Sequence, residues 1–349
     1  MARPESSPGN TPTFQYLAFM KRSINWAILG PGKIAHKFAD AFRSVPDAKL
    51  YAIASRDTAR GKEFAAKFKV PKTYNTYEAL VADPGVDIVY IATPHPFHYE
   101  QTLLCLNHKK AVLCEKPLTM SLGNASEMIS LARSNGTFLM EAMWSRFFPA
   151  TIKTLELIRA GAIGEIKFLH ADFGFAAPYN PEGRVFNLKL GGGAQLDVGV
   201  YPMFLALLIL GKPEKIQALA HRAPTGADET TSAQFYFKNG SIAQIMSSVV
   251  ADTPKQAEII GTQGTLVMHS PWHKSQALTV TKNNGEKKTF DFPYPGIGFE
   301  FQLAHATLCI QDGLKESTLM PHALSLWMAG AADDILSQCG VVYPRNNFS

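Results

Sequence analysis

The chain has 349 residues, 46% of them hydrophobic, which is enough for two domains with a sizeable core. Its 34 basic and 29 acidic residues give a net charge of +5. The basic residues are scattered, so the Lys/Arg stripe of a nucleic-acid binder is missing.

Residues 1–23 are rich in Ser, Pro and Thr and read as a disordered leader, with Met20 as an alternative start. The apolar patch from Phe14 to Met20 is interrupted by Gln15 and lacks a cleavage site, which argues against a signal peptide. From Ile24 onward strand and helix alternate. Strands are expected at Ile24–Leu29, Leu50–Ala54, Thr73–Tyr74, Asp87–Ala92, Ala111–Cys114 and Phe138–Glu141. Helices fall between them at Lys33–Ser44, Thr58–Phe68, Tyr77–Ala82, Phe97–Asn107 and Leu122–Ser134. The run Asp87–Ala92 is almost wholly β-branched or aromatic, as suits a strand buried on both faces. Such alternation predicts an α/β N-terminal domain, residues 24–143, built as a doubly wound parallel sheet.

The rhythm then changes. A helix at Ala150–Ala160 leads to an extended run, Ile166–Ala176, a Gly-rich loop and an apolar helix ending at Leu210. That apolar stretch, Val198 to Leu210, is shorter than the roughly 20 residues a bilayer requires. Strand-like runs follow at Lys215–His221, Ser232–Phe237, Ile242–Val249, Gln256–Ile260, Gly264–His269, Ala277–Thr281 and Lys288–Phe292. Asn239-Gly240 and Asn284-Gly285 mark hairpin turns between them. Residues 144–344 are therefore expected to form an α+β domain with an open, largely antiparallel sheet, closed by helices at Phe301–Gln311 and Pro321–Ser337. An uncovered apolar sheet face drives association, so a homodimer or larger homo-oligomer through that face is expected. Cys105, Cys114, Cys309 and Cys339 show neither CxxC pairing nor zinc spacing, as expected of reduced thiols in a cytoplasmic protein.

Two motifs carry chemistry. Gly30-Pro31-Gly32-Lys33-Ile34-Ala35 follows the first strand and opens the first helix. The glycines admit a dinucleotide pyrophosphate close to the backbone, at the helix N-terminus, in the context this Rossmann-type motif requires. The second strand ends in Ala54-Ser55-Arg56, with Arg60 one turn later, where NAD-binding chains place a carboxylate for the ribose. A hydroxyl and two guanidinium groups suit a 2′-phosphate, so NADP(H) is expected over NAD(H), which stays possible. Asp57 is the open alternative, since it can turn inward to a ribose. Arg56 and Arg60 can also be simply a solvated helix start.

Glu115-Lys116-Pro117 follows a buried strand, which sets Lys116 at the ligand-binding edge of the sheet. An ammonium there stabilises a developing alkoxide; an ordinary strand-end lysine is the plain alternative. Asp197 and Tyr201 stand four apart near a helix start, on one face. A nearby ammonium is expected to lower the phenol's pKa and make it a usable base. Asp197 is otherwise a helix N-cap, and Tyr201 a core aromatic.

The Gly30–Ala35 loop, Ala92-Thr93-Pro94-His95 with His98, and Ala111–Pro117 resemble the glucose–fructose oxidoreductase / inositol dehydrogenase (Gfo/Idh/MocA) family. Glu141–Pro149 and Asp197–Tyr201 are most similar to its dihydrodiol and NADP-dependent xylose-type dehydrogenases. The resemblance spans about Ile24 to Pro344. It implies that Lys116 lies beside the nicotinamide, that Tyr201 is the acid/base group and that Asp197 contacts substrate. It also implies that Thr93, Pro94, His95, His98 and Glu115 line the cofactor, and that Trp144 and Trp272 wall the substrate pocket. Phe148, Phe299 and Arg146 are further substrate candidates, with core packing or ion pairing as the plain alternatives. The expected reaction is hydride exchange between nicotinamide and a carbinol of a vicinal diol or cyclic sugar, with no metal. A catalytically silent cofactor-sensing regulator or scaffold of the same fold is the other reading.

Overall fold

The computed structural model describes residues 22–344, so all but the last two positions of the expected leader lie outside the described residues. Six parallel strands form the first sheet: β1 (Ile24–Leu29), β2 (Ala48–Ala54), β3 (Lys72–Tyr74), β4 (Ile88–Ile91), β5 (Ala111–Glu115) and β6 (Leu139–Ala142). The intervening helices are α1 (Lys33–Ala41), α2 (Thr58–Phe68), α3 (Tyr77–Ala82), α4 (His98–Asn107) and α5 (Leu122–Asn135). Every residue of β4 and β5 is buried, which explains why those segments lack polar alternation. The strand order is β3-β2-β1-β4-β5-β6, so the winding reverses between β1 and β4. A crevice opens at such a reversal, outside the carboxyl ends of the strands. Gly30, Thr93 and Lys116 all follow strands that end there.

The rest of the chain supplies α6 (Pro149–Arg159), β7 (Ile166–Gly174) and a π-helical turn, Gln195–Gly199, that runs into α7 (Val200–Leu210). The strands β8 (Lys215–Arg222), β9 (Asp228–Tyr236), β10 (Ile242–Ser248), β11 (Ala257–Gly261), β12 (Gly264–Met268), β13 (Ala277–Lys282) and β14 (Lys287–Asp291) follow. Together with β7 they make an eight-stranded sheet, order β14-β13-β12-β11-β7-β10-β9-β8. All pairings are antiparallel except β7 with β10. One face, through Leu169, Ala243, Ile245, Ala233 and Phe235, is buried under the apolar α7. On the other face Phe168 pairs in register with both Ile242 and Ile260, and Leu219 is 80% exposed. The helical run Leu188–Leu210 has the length and apolarity of a membrane span, but 83% of its apolar window is buried, as in a core helix.

The closing helices α8 (Phe299–Gln311) and α9 (His322–Gln338) return to the first sheet. Trp26 of β1 donates its indole N–H to Thr307 Oγ1 of α8 at 3.2 Å, and the Leu122 N–H is held by Asp333 of α9 at 2.8 Å. Several boundaries depart from expectation: β2 starts two residues early, at Ala48, and β7 ends two residues early, at Gly174. Helix α8 starts two residues early, at Phe299. Strand β9 starts at Asp228 rather than Ser232, because Asp228 is buried and accepts hydrogen bonds from the Gln195 N–H and the Thr231 hydroxyl.

Candidate active site

The crevice begins at Gly30, whose φ of 86° lies in the left-handed region. A Cβ there would come within 3.0 Å of Thr93 Cγ2, so the close approach of the two loops requires glycine. Gly32 precedes α1, whose first turn has no side-chain cap. Its free N–H groups and the helix dipole are available to an anion. They border a cleft of about 520 Å³ that also takes in Lys33, Ile34, Lys37, Thr93 and Lys116. A dinucleotide fits this cradle: backbone donors and two ammonium groups stand where its phosphates belong.

At the end of β2, Ser55 is buried and donates its hydroxyl to the Asp57 carbonyl at 2.7 Å. Asp57 in turn accepts the Arg60 N–H at 3.1 Å and caps α2, so its carboxylate is committed to the helix. Arg60 lays its guanidinium on the Pro31 carbonyl at 3.3 Å, and Arg56 stacks over Phe97, 5.4 Å from the ring centre. Arg60 thus stays beside the glycine loop, and Arg56 beside the segment that follows β4. His98 bridges the Thr93 and Pro117 carbonyls, each at 2.9 Å, and ties the loop after β4 to the one carrying Lys116. His95 reaches the Gly191 carbonyl at 3.2 Å; burial, with His98 and Lys116 nearby, depresses its pKa well below the ordinary histidine value.

Lys116 Nζ donates to the Asp197 carbonyl at 2.6 Å and lies 3.6 Å from its carboxylate and 5.0 Å from the Tyr201 ring centre. Arg184 grips the same carboxylate with both terminal nitrogens, at 3.1 and 2.9 Å. Burial pushes the Asp197 carboxyl up, but Lys116 and Arg184 outweigh it and hold it well below the usual carboxylate range. Asp197 is therefore a charged anchor and not a helix cap. Burial also lowers the Lys116 pKa, against the pull of Asp197 and Glu115. Glu115 accepts the Tyr90 hydroxyl beneath it, and both are buried.

Tyr201 departs from expectation. Burial raises its phenol, the charges of Glu115 and Asp197 add to this, and only the hydrogen bond from Trp144 opposes it. The ammonium does not reverse the shift: it lies over the ring face and donates to the Asp197 carbonyl rather than to the phenolic oxygen. Trp144 Nε1 donates to that oxygen at 2.8 Å.

Trp144 stacks on Phe299, with centroids 4.5 Å apart, and Phe148 packs edge-on behind it at 5.2 Å. Trp272 and Arg146 are not brought to this cluster. Trp272 is 1% exposed and donates to the Asp172 carbonyl, and Arg146 is turned to the Leu319 carbonyl at 2.8 Å. The sequence reading missed Arg184, Phe173 and His273. Phe173 and His273 flank Tyr201 with ring centroids at 5.3 and 5.5 Å. The available signals were slight: Arg184 precedes the Gly191-Gly192-Gly193 loop, and His273 adjoins Trp272.

A parallel sheet with a phosphate-ready crevice, and a second sheet delivering polar groups to its mouth, define a nicotinamide-dependent oxidoreductase. Residues 24–143 match the oxidoreductase family with the NAD-binding Rossmann fold, and residues 152–267 match the Gfo/Idh/MocA C-terminal domain. The chain belongs to the Gfo/Idh/MocA family. It is 38% identical over 337 residues to trans-1,2-dihydrobenzene-1,2-diol dehydrogenase of Danio rerio, covering 93% of this chain and 99% of the relative. The Mus musculus enzyme of the same name is 37% identical over 336 residues, with the same coverage. Among solved structures, a 3-ketoreductase from Actinomadura kijaniata in complex with NADP and TDP-benzene superimposes with a TM-score of 0.82 at 26% identity. That match covers 91% of this chain and 98% of the ketoreductase.

Proposed function

We propose that this enzyme is an NADP(H)-preferring oxidoreductase acting on one carbinol of a vicinal diol or cyclic sugar. The observation that carries the reading is the meeting of Lys116, from the first sheet, with Tyr201 and Asp197, from the α7 region, at one end of the cofactor cleft. The relatives named for a dihydrobenzenediol, and the ketoreductase bound to TDP-benzene, support a ring-shaped hydroxylated substrate.

In this reading Gly30, Gly32, Lys33 and Ile34 hold the pyrophosphate, while Ser55, Arg56 and Arg60 hold the 2′-phosphate. Thr93, Pro94, His95, His98 and Glu115 line the nicotinamide end. The bound cofactor supplies the two-electron exchange at its nicotinamide ring. The Tyr201 oxygen accepts from Trp144, so its own proton is free for a substrate oxygen. Because burial raises the phenol, Tyr201 rests protonated and is ready to donate when a carbonyl is reduced. In the oxidative direction the phenol first loses its proton to solvent, and the phenolate then takes the substrate's hydroxyl proton. The Lys116 ammonium steadies negative charge on the same oxygen, and Asp197, clamped by Arg184, fixes the ammonium. Trp144 and Phe299 offer an apolar wall for a substrate ring.

Residues 24–143 act as the cofactor domain and 144–344 as the substrate domain. The uncovered sheet face around Phe168 and Leu219 pairs two copies into a homodimer. The four free cysteines suit a cytoplasmic enzyme. The test is a panel of trans-diols and aldoses with NADP and NAD, followed at the absorbance band of the reduced cofactor. Turnover of a diol or aldose with NADP ahead of NAD supports the reading, and no turnover across the panel contradicts it.

A further inference from the structure

His273 sits in a short turn, Trp272–Lys274, between β12 and β13. Its backbone is fixed, since the Ser145 hydroxyl donates to the His273 carbonyl at 2.6 Å. Its ring stacks flat on Phe173, centroids 4.2 Å apart and planes 17° apart, and reaches Trp144 at 6.2 Å. The residue is 7% exposed, yet its Nδ1 is buried with no hydrogen-bond partner among the described residues. A buried ring nitrogen without a partner is rare in native structures. Nε2 also makes no hydrogen bond among the described residues and, unlike Nδ1, is not closed off from solvent, so it is the nitrogen a ligand can reach. Burial, with Lys274, Lys255 and Lys116 adding, lowers its pKa to about 3, so the ring is neutral at physiological pH. A neutral imidazole both donates and accepts.

We infer that His273 is a specificity-determining residue that exchanges a hydrogen bond with a second oxygen of the substrate, beside the one served by Tyr201. The inference rests on the proposed function, because Tyr201 must hold the reacting oxygen for the ring 5.5 Å away to meet its neighbour. Three aromatic side chains, Phe173, Trp144 and Tyr201, lie around the His273 ring. They cannot separate a diol from a simple alcohol, whereas a buried polar atom that an alcohol leaves unpaired can. The substrate class thereby narrows to rings bearing at least two neighbouring oxygens.

Trans-1,2-cyclohexanediol and cyclohexanol are the probes. The wild-type enzyme should favour the diol by about tenfold or more in kcat/KM, the scale of one net hydrogen bond. His273→Phe keeps the stack on Phe173 and should bring that ratio close to one; His273→Asn should restore part of it. A second measurement needs no turnover and no variant fold. In the NADP-saturated wild-type protein, the 15N resonance of the His273 ring should move on addition of the diol and stay still with cyclohexanol. A resonance unmoved at saturating diol, or a wild-type ratio kept by His273→Phe, overturns the inference. A resonance that moves with the diol while neither probe is turned over leaves it standing and counts against the proposed hydride chemistry instead.

Discussion

Replacing Glu141 with Gln should stabilise the enzyme, and only above mildly acidic pH. Glu141 is the last residue but one of β6, with its carboxyl buried: Oε1 accepts the Leu118 N–H at 2.9 Å, and Oε2 has no partner among the described residues. Burial raises its pKa from 4.5 to about 7, against the pull of the Ser325 hydroxyl and the Leu118 N–H. Below pH ~4.5 both the folded and unfolded chains carry the neutral acid, and the group contributes nothing to the pH dependence. Between pH ~4.5 and ~7 the unfolded chain ionises while the folded one stays protonated, so stability falls by about 1.4 kcal/mol per pH unit. Above the folded pKa both forms are ionised and the accumulated loss stays at about 3 kcal/mol. Gln keeps the acceptor for Leu118 and has no proton to lose. Urea unfolding at pH 4.5 and pH 8 should therefore show little difference at the lower value and a gain of about 3 kcal/mol for Glu141→Gln at the higher. A difference that does not change with pH, or a variant less stable at pH 8, would refute the reasoning.

Arg184→Met removes one of two cations holding Asp197 ionised. The Asp197 pKa should rise toward its ordinary value, and the acid limb of the kcat/KM profile should move up by about one pH unit; an unmoved limb would leave Arg184 without an electrostatic role. Arg56→Ala should raise KM for NADPH about tenfold while changing that for NADH by less than about twofold; equal effects on both would remove the 2′-phosphate contact. Phe168→Arg, in the uncovered sheet face, should convert the proposed dimer into monomers by sedimentation equilibrium. A wild-type chain that is monomeric at every concentration would remove that interface.

Much of the first sheet was legible because parallel strands buried on both faces write continuous apolar runs, and Gly30-Pro31-Gly32 punctuates the first of them. The second sheet was legible from its hairpin turns, although its central pairing of β7 with β10 is parallel, a consequence of the crossover through α7, β8 and β9 that no local signal announces. The site was readable where a residue is fixed by its place on a strand end or helix start, as Lys116 and Tyr201 are. It failed where a side chain's direction depends on a distant partner. Arg146 stands two residues after Trp144 but turns to the Leu319 carbonyl, and Trp272 turns into the core while its neighbour His273 lies beside Tyr201. Arg184 belongs to a loop without periodicity, and its importance appears only once Asp197 is seen in its grip. The phenol's pKa was misjudged for a related reason: spacing brought an ammonium near Tyr201 but could not say that it would lie over the ring face.

The central claim is that Tyr201 and Lys116 act on the reacting oxygen. Single-turnover rates of Tyr201→Phe and Lys116→Ala, with NADPH binding verified by its fluorescence, measure this most directly. The account predicts that each variant still binds the cofactor and loses about a hundredfold or more in the rate of the chemical step. Near-normal rates in both variants would contradict it.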